Sequence, residues 1–357
     1  MEFGLFSNGH RRSRSASRTY AEDLHETMTA DRLGFHEAWI SEHIGLNRPD
    51  TLPAPELLIC KAAAHTRQIR MGPAVRLLPL YHPIDVATQA AVCDHLTDGR
   101  YMFGFGGGGV GLGNMEQRGL TDDLRHPMMH ESIELILRCW TATEPFAHEG
   151  RFWSGRGINV QPKPLQKPHP PVGVASNDDA FIHMAAERGF MLLLSHYETP
   201  ANLRRKIARF VEAQTAAGRT RQRSLVRICR TVYVAKSVKQ ARDELRPGAS
   251  VDVEEMKAGR PRLFQHYVPP GGTIADVNFD YLVDAGLFIV GDPDTVCEKL
   301  KSLYQDTGGF GTVLLTAGRD WSTPEKRTRS YTLFREYVSP ELAELEPDHR
   351  GGYAVGF

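Results

Sequence analysis

A glutamate and a histidine, Glu42 and His43, close the segment RLGFHEAWISEHIG, just after the short apolar run Ala38 to Ile40. A helix ending at Gly34 followed by a short strand would deliver both side chains to the strand's C-terminal tip. In a barrel of alternating strands and helices, that tip is where active sites are assembled. Imidazole suits proton transfer near neutral pH. The competing reading is an ordinary Glu-His pair on a surface loop. His10 and His82 are further candidates for the substrate side. His82 precedes Pro83, a helix-start context, so each also reads as a loop or helix-start residue. No spacing of histidines and cysteines resembles a metal site, and none is expected.

Two other segments have ligand-binding chemistry. Gly104 to Gly109 fits G-x-G-x-x-G after a strand, but more turn-forming sequence follows where a dinucleotide fingerprint needs an apolar helix. Close approach of bare backbone to a ligand, at Gly106 and Gly107, is the preferred reading, against a plain flexible loop. Ser176 and Asn177 precede a helix. A hydroxyl or amide there can cap the helix, and the helix N-terminus can also receive a phosphate.

The chain has 357 residues, formal net charge +0 and 41% hydrophobic residues. Neither a nucleic-acid-binding field nor an acidic tail is expected from that balance. Arg11, Arg12, Arg14 and Arg18 form one local basic cluster, read as a solvated loop before a helix. The five cysteines, Cys60, Cys93, Cys139, Cys229 and Cys297, are far apart and lack C-x-x-C, which points to reduced thiols in a cytoplasmic protein. MEFGLF starts directly as a strand, and Arg11-Arg12 lacks the apolar run of a twin-arginine signal. The longest apolar run, Phe190 to Leu194, is too short to span a bilayer.

Strands are predicted at 2–6, 37–40, 70–75, 101–105, 172–175, 190–194, 227–235 and 312–317, each followed by a helical pattern. The helix over 20–33 is taken as amphipathic on Leu24 and Met28. Residues 144–170 read as a hairpin plus the proline-rich connector QPKPLQKPHPP. Residues 247–285, with Pro261, Pro269, Pro270 and paired glycines, read as a second irregular insertion. Eight βα units argue for one (β/α)8 TIM barrel over residues 1–345, with 346–357 as a frayed tail. An open doubly wound sheet is the alternative.

Five segments, in order, resemble the bacterial luciferase-like flavin monooxygenase family. They are the strand ending in Glu42-His43, MGPAVRLLPLYHP from Met71, DHLTDGRYMFGFGGG from Asp94, PVGVASNDDAFIHMAAERGFMLLLS from Pro171, and FIVGDPDTVCEKLKSLYQDTGGFGTVLL from Phe288. The last looks most like the branch with limonene and diketocamphane monooxygenases. The resemblance implies a barrel that binds FMN at the C-terminal strand ends. A separate NAD(P)H:flavin reductase would supply FMNH2, which reacts with O2 to give a C4a-peroxyflavin that oxygenates a small apolar molecule. Baeyer–Villiger insertion, hydroxylation and epoxidation are the candidate reactions, and a homodimer is expected.

By the same resemblance His43 is the catalytic residue, and Glu42 orients it or holds the strand end. Ala74-Val75 falls where the family often has a non-proline cis peptide behind the flavin. Ser176 and Asn177 match the phosphate site, and Ser195 and His196 a pair near the flavin. Gly107 departs from the pattern, standing where an arginine often grips the phosphate, so Arg118 or Arg125 would have to substitute. The alternatives are an F420-dependent oxidoreductase of the same fold, a non-catalytic flavin-binding protein and a flavin-free barrel hydrolase. The hydrolase is disfavoured by the lack of a G-x-S-x-G elbow.

Overall fold

The computed structural model describes residues 1–11, 15–44, 52–109, 114–259 and 261–346. In chain order the strands are β1 (Glu2–His10), β2 (Glu37–Ile40), β3 (Arg70–Pro73), β4 (Arg76–Leu77), β5 (Phe103–Gly106), β6 (Phe146–Glu149), β7 (Ser154–Ile158), β8 (Val172–Ala175), β9 (Met191–Leu194), β10 (Val226–Val234), β11 (Phe288–Gly291) and β12 (Thr312–Arg319). The helices are α1 (Ala16–Arg32), α2 (Pro55–Ala63), α3 (Pro83–Leu96), α4 (Arg125–Thr141), α5 (Asp179–Arg188), α6 (Pro200–Ala216), α7 (Val238–Gly259), α8 (Pro261–Phe264), α9 (Phe279–Asp284), α10 (Pro293–Thr307), α11 (Pro324–Leu333) and α12 (Ser339–Leu342).

Parallel strands run in the order β3-β2-β1-β12-β10-β9-β8-β5-β4. Only Ala74 and Val75 separate β3 from β4, so these are two halves of one bent stave, and a bridge between Met71 and Tyr101 closes the ring. Eight staves result, the (β/α)8 barrel expected from the alternation of elements. β11 is an extra strand on the C-terminal half of β10, pairing Thr231 to Val234 with Phe288 to Gly291. Prolines in the first turn start α2, α3, α6, α10 and α11. There the missing N–H has no helical partner to lose. Trp39 fills the barrel interior against Gly104, where a Cβ would fall 2.1 Å from Pro73 O and 2.9 Å from the indole.

Several expectations need correction. Residues 247–285 are not irregular throughout: α7 runs through Pro247, and α8 and α9 follow. A proline inside a helix loses one hydrogen bond, and here the buried face of Ala241, Leu245, Ala249, Val253 and Met256 holds the helix in place. Helix α1 is not docked by an apolar stripe. Its buried face carries Thr19, Glu22, Asp23, Glu26 and Thr27, while Leu24 and Met28 are half-buried. Nor is Arg11 solvated: it is fully buried, pairing with Glu22 at 3.2 Å, with Glu26 at 2.9 Å and with Asp23. Arg12 and Arg14, and the tail from residue 347, lie outside the described residues. The hairpin β6–β7 and its proline-rich connector are present, with cis bonds before Pro162 and Pro168.

Charge also fills the opposite, N-terminal end of the barrel. Glu37 on β2 is fully buried and accepts from Arg227 at 2.8 Å, Trp39 Nε1 at 2.8 Å and Arg70 at 3.3 Å. Burial pushes its carboxyl up, but Arg227 and Arg70 together hold it down at about 2. Removing one member of a buried pair strands its partner, a cost of about 3–5 kcal/mol. Glu37→Ala and Arg227→Ala are each expected to lose about that much in denaturant unfolding. Glu37→Leu/Arg227→Met should lose clearly less than the two singles summed. Strict additivity would show that the pair is not coupled.

Candidate active site

Residues picked out in the sequence gather where the barrel strands end. His10 ends β1, and Glu42 and His43 follow β2. Ala74 and Val75 divide β3 from β4, Gly106 ends β5, Ser176 and Asn177 follow β8, and Ser195 and His196 follow β9. The Ala74–Val75 peptide is cis. A Cβ on Gly106 would lie 2.6 Å from Val75 Cγ2 and 3.1 Å from Ala175 O, so three strand ends meet there with no room for a side chain.

His43 is half-buried, and its Nε2 lies 2.9 Å from Asn8 Oδ1 at the tip of β1. An amide oxygen only accepts, so this contact puts a proton on Nε2 and makes Nδ1 the basic nitrogen. Its backbone N–H donates to Leu52 O at 2.9 Å.

Glu42 is buried and occupied. Its carboxylate accepts from Leu77 N–H at 2.8 Å, from the Tyr81 hydroxyl and, at 3.4 Å, from Arg76. Arg76 also reaches Glu56 and Gln89, each at 3.3 Å, and its guanidinium stacks 3.8 Å from the Tyr81 ring centre. Burial raises the Glu42 carboxyl to about 7 against the pull of Arg76. This geometry gives Glu42 a structural part: it holds the bent stave just past the cis peptide.

Arg125 lies against Gly107, while the sequence offered it only as a substitute. A Cβ on Gly107 would meet Arg125 Cγ at 2.8 Å, and Arg125 Nη1 donates to Gly108 O at 2.7 Å. Its Nε–H is buried without an acceptor. The helix cap assigned to Ser176 and Asn177 belongs to Asp178, whose Oδ1 accepts from Ala180 N–H at 2.9 Å. Ser176 Oγ accepts from Asp178 N–H at 3.0 Å. Asn177 Oδ1 instead accepts from Lys206, a buried lysine also paired with Glu198. Ser195 is exposed and Oγ accepts from Tyr197 N–H at 3.3 Å.

Beside His196 lies an apolar cavity whose walls include Tyr197, Met256, Phe264, Tyr267 and Trp321. Residues after Pro247, among them Val253, Met256 and Phe264, supply part of that wall. Asp252 lines the same cavity and faces His10 Nε2 at 3.7 Å and Arg319 at 2.8 Å, so His10 stands behind that wall and does not line the cavity itself. His82 does not join this group. It caps α3, accepting from Ile84 N–H at 3.3 Å, and packs edge-on against Trp153.

Sequence reasoning missed Asn8, Arg76 and Lys206. Asn8 had a signal, since the apolar first strand turns polar at Ser7-Asn8 just as it reaches the C-terminal face. Lys206 had none, lying mid-helix among ordinary charged residues.

A family model described as luciferase-like monooxygenase matches residues 1–310. The 3,6-diketocamphane 1,6-monooxygenase of Pseudomonas putida is 29% identical over 375 residues, covering 96% of this chain and 98% of that protein. Limonene 1,2-monooxygenase of Rhodococcus erythropolis is 27% identical over 361 residues, covering 98% and 89%. Among solved structures, the oxygenating constituent of 3,6-diketocamphane monooxygenase from Pseudomonas putida, a type II Baeyer–Villiger monooxygenase in complex with FMN, superposes with a TM-score of 0.85. It is 29% identical, and the match covers 95% of this chain and 98% of that one.

The Glu42 carboxyl has a consequence for stability. Its folded value, about 7, lies above the ordinary 4.5, so between these values the folded state holds more protons than the unfolded state. Stability therefore falls as pH rises from about 4.5 through 7. Asp23, held up at about 6 by burial, acts in the same sense. Urea melts at pH 5, 6 and 7 are expected to show the decline, and Glu42→Gln should flatten it. An unchanged slope in Glu42→Gln would place the titration elsewhere.

Proposed function

The chain belongs to the luciferase-like monooxygenase family, and we propose that it is the oxygenase of a two-component system using FMNH2 and O2 on a small apolar organic molecule. The observation that carries this reading is the convergence, on one barrel face, of an oriented imidazole, a cradle of bare backbone and an arginine with an unspent N–H. Those features fit FMN. The tight meeting of Val75, Gly106 and Ala175 offers a flat backing for a ring system. Arg125 Nε, with no acceptor of its own, suits a phosphate beside Gly107 and Gly108. Ser176 and Asn177, at the entry to α5, would complete that grip, and Ser195 and His196 would border the ring.

Reduced FMN, when bound, supplies the electrons that activate O2 for transfer of one oxygen atom to the substrate. The protein's part is placement and proton control. Asn8 holds the His43 ring and its tautomer, so that Nδ1 can hold or deliver a proton at the reacting group. Glu42 keeps the bent stave, and with it Val75, in position through Leu77. The apolar side chains around the small cavity next to His196 would keep water from that side of the site and suit a neighbour with little polar surface. Baeyer–Villiger insertion is the leading reaction, on the likeness to the diketocamphane enzyme, with hydroxylation and epoxidation as the alternatives.

An NAD(P)H:flavin reductase is the expected partner, in keeping with the description of the solved relative as an oxygenating constituent. We expect a homodimer and a cytoplasmic location. Five free thiols suit a reducing compartment, and no helix among the described residues is long and apolar enough to cross a membrane.

The test mixes the protein with reduced FMN, then with oxygenated buffer, and follows flavin reoxidation by absorbance. Reoxidation at least tenfold slower than that of free FMNH2 is expected. Reoxidation at the free rate, together with turnover on reduced F420 without oxygen, would establish the F420 reading instead. Slow reoxidation with no product from camphor-derived diketones, limonene or a wider ketone panel would favour a flavin-binding protein. In His43→Ala, FMN binding should persist while product yield per flavin falls about 100-fold or more in favour of hydrogen peroxide. Unchanged coupling would remove His43 from the chemistry.

A further inference from the structure

Helices α2 and α3 face each other through two successive rungs of side chains. In the first, Arg76 reaches from β4 to Glu56 on α2 and Gln89 on α3, each at 3.3 Å. One helical turn on, at i+4 in both helices, stand Cys60 and Cys93, whose sulfurs are 3.5 Å apart. Cys93 is buried and Cys60 is partly open to solvent. The other three cysteines are buried.

We propose that Cys60 and Cys93 form a redox-active dithiol that hydrogen peroxide converts to a disulfide joining α2 to α3. The sulfurs need to close from 3.5 Å to about 2.05 Å, within reach of side-chain rotation from helices already in contact. Cys60 is the sulfur that peroxide can reach, Cys93 being buried, which makes Cys60 the attacking sulfur, and the hydrogen bond with Cys93 lowers its thiol in the same sense. Its thiolate displaces hydroxide from peroxide and becomes a sulfenic acid, oxidised by two electrons as the O–O bond breaks. The Cys93 sulfur then attacks the Cys60 sulfur, its thiol proton leaving with the displaced oxygen as water. The overall change is two thiols and one peroxide to one disulfide and two waters.

The bond would add a covalent rung beside the ionic one that Arg76 makes, and Arg76 is also a partner of Glu42. Oxidation therefore fixes the wall supporting the bent stave. This inference stands on the thiol geometry and is independent of the flavin reading, although an uncoupled flavin oxygenase would generate the peroxide itself.

The experiment treats the full-length reduced protein with a few equivalents of hydrogen peroxide, then counts thiols and maps peptides by mass spectrometry. A fall from five thiols to three, a Cys60–Cys93 cross-linked peptide, a raised unfolding midpoint and full reversal by dithiothreitol are expected. Cys93→Ala should stop at a sulfenic acid on Cys60, trapped by dimedone, and Cys60→Ser should keep its thiols over the same exposure. Five intact thiols in the wild type would overturn the proposal. So would oxidation at another cysteine first, a Cys60–Cys60 bond between protomers, or Cys60 going on to sulfinic acid with Cys93 untouched.

Discussion

A carboxylate shielded from water holds together the part of the barrel where the candidate site residues gather. The third stave breaks at Ala74–Val75, and a broken stave leaves backbone groups to be satisfied. Glu42 does this directly, taking Leu77 N–H at 2.8 Å, while Tyr81 and Arg76 engage its other oxygen. Burial works against the charge, and that is why its carboxyl sits near 7. The arrangement passes outward through Arg76 to Glu56 on α2 and Gln89 on α3. The histidine beside Glu42 is thus mounted on a rigid neighbour and oriented by Asn8 from the adjacent strand. Precise placement of this kind is what proton transfer at a reacting centre requires.

Buried charge recurs around the barrel in the same manner. At the N-terminal end Glu37 is enclosed by Arg227, Arg70 and Trp39. At the seam between β1 and β12, Arg11 and Arg327 enclose Glu22 and Glu26, and Glu26 also accepts Gly318 N–H at 3.1 Å. Two arginines on Glu26 hold its carboxyl below the usual range despite full burial. Each of these charges is paired and hydrogen-bonded, the condition under which burial is tolerated. The seam matters because β1 and β12 bring Asn8 and Arg319 to the face that carries the site.

The alternation of apolar strands and helices was legible because parallel strands covered on both sides read as short apolar runs, as in MLLL of β9. The gathering of the candidate residues on one face followed from it, since they lie at strand ends. What stayed hidden were interactions between residues far apart in sequence. The acidic inner face of α1 cannot be told from a solvated one until Arg11 and Arg327 are placed against it. Pro247 argues locally against the helix that tertiary packing sustains. His43 finds its partner 35 residues upstream. Arg125, offered from sequence only as a substitute for a missing arginine, is placed at Gly107 by the fold of α4 over the glycine loop.

The most direct measurement is a crystal structure of the protein soaked with FMN. The phosphate is expected between Arg125 and the Ser176–Asn177 turn, with the ring against Ala74–Val75 and within reach of His43. A flavin bound elsewhere, or a phosphate that leaves Arg125 on Gly108 O with Nε still without an acceptor, would contradict it.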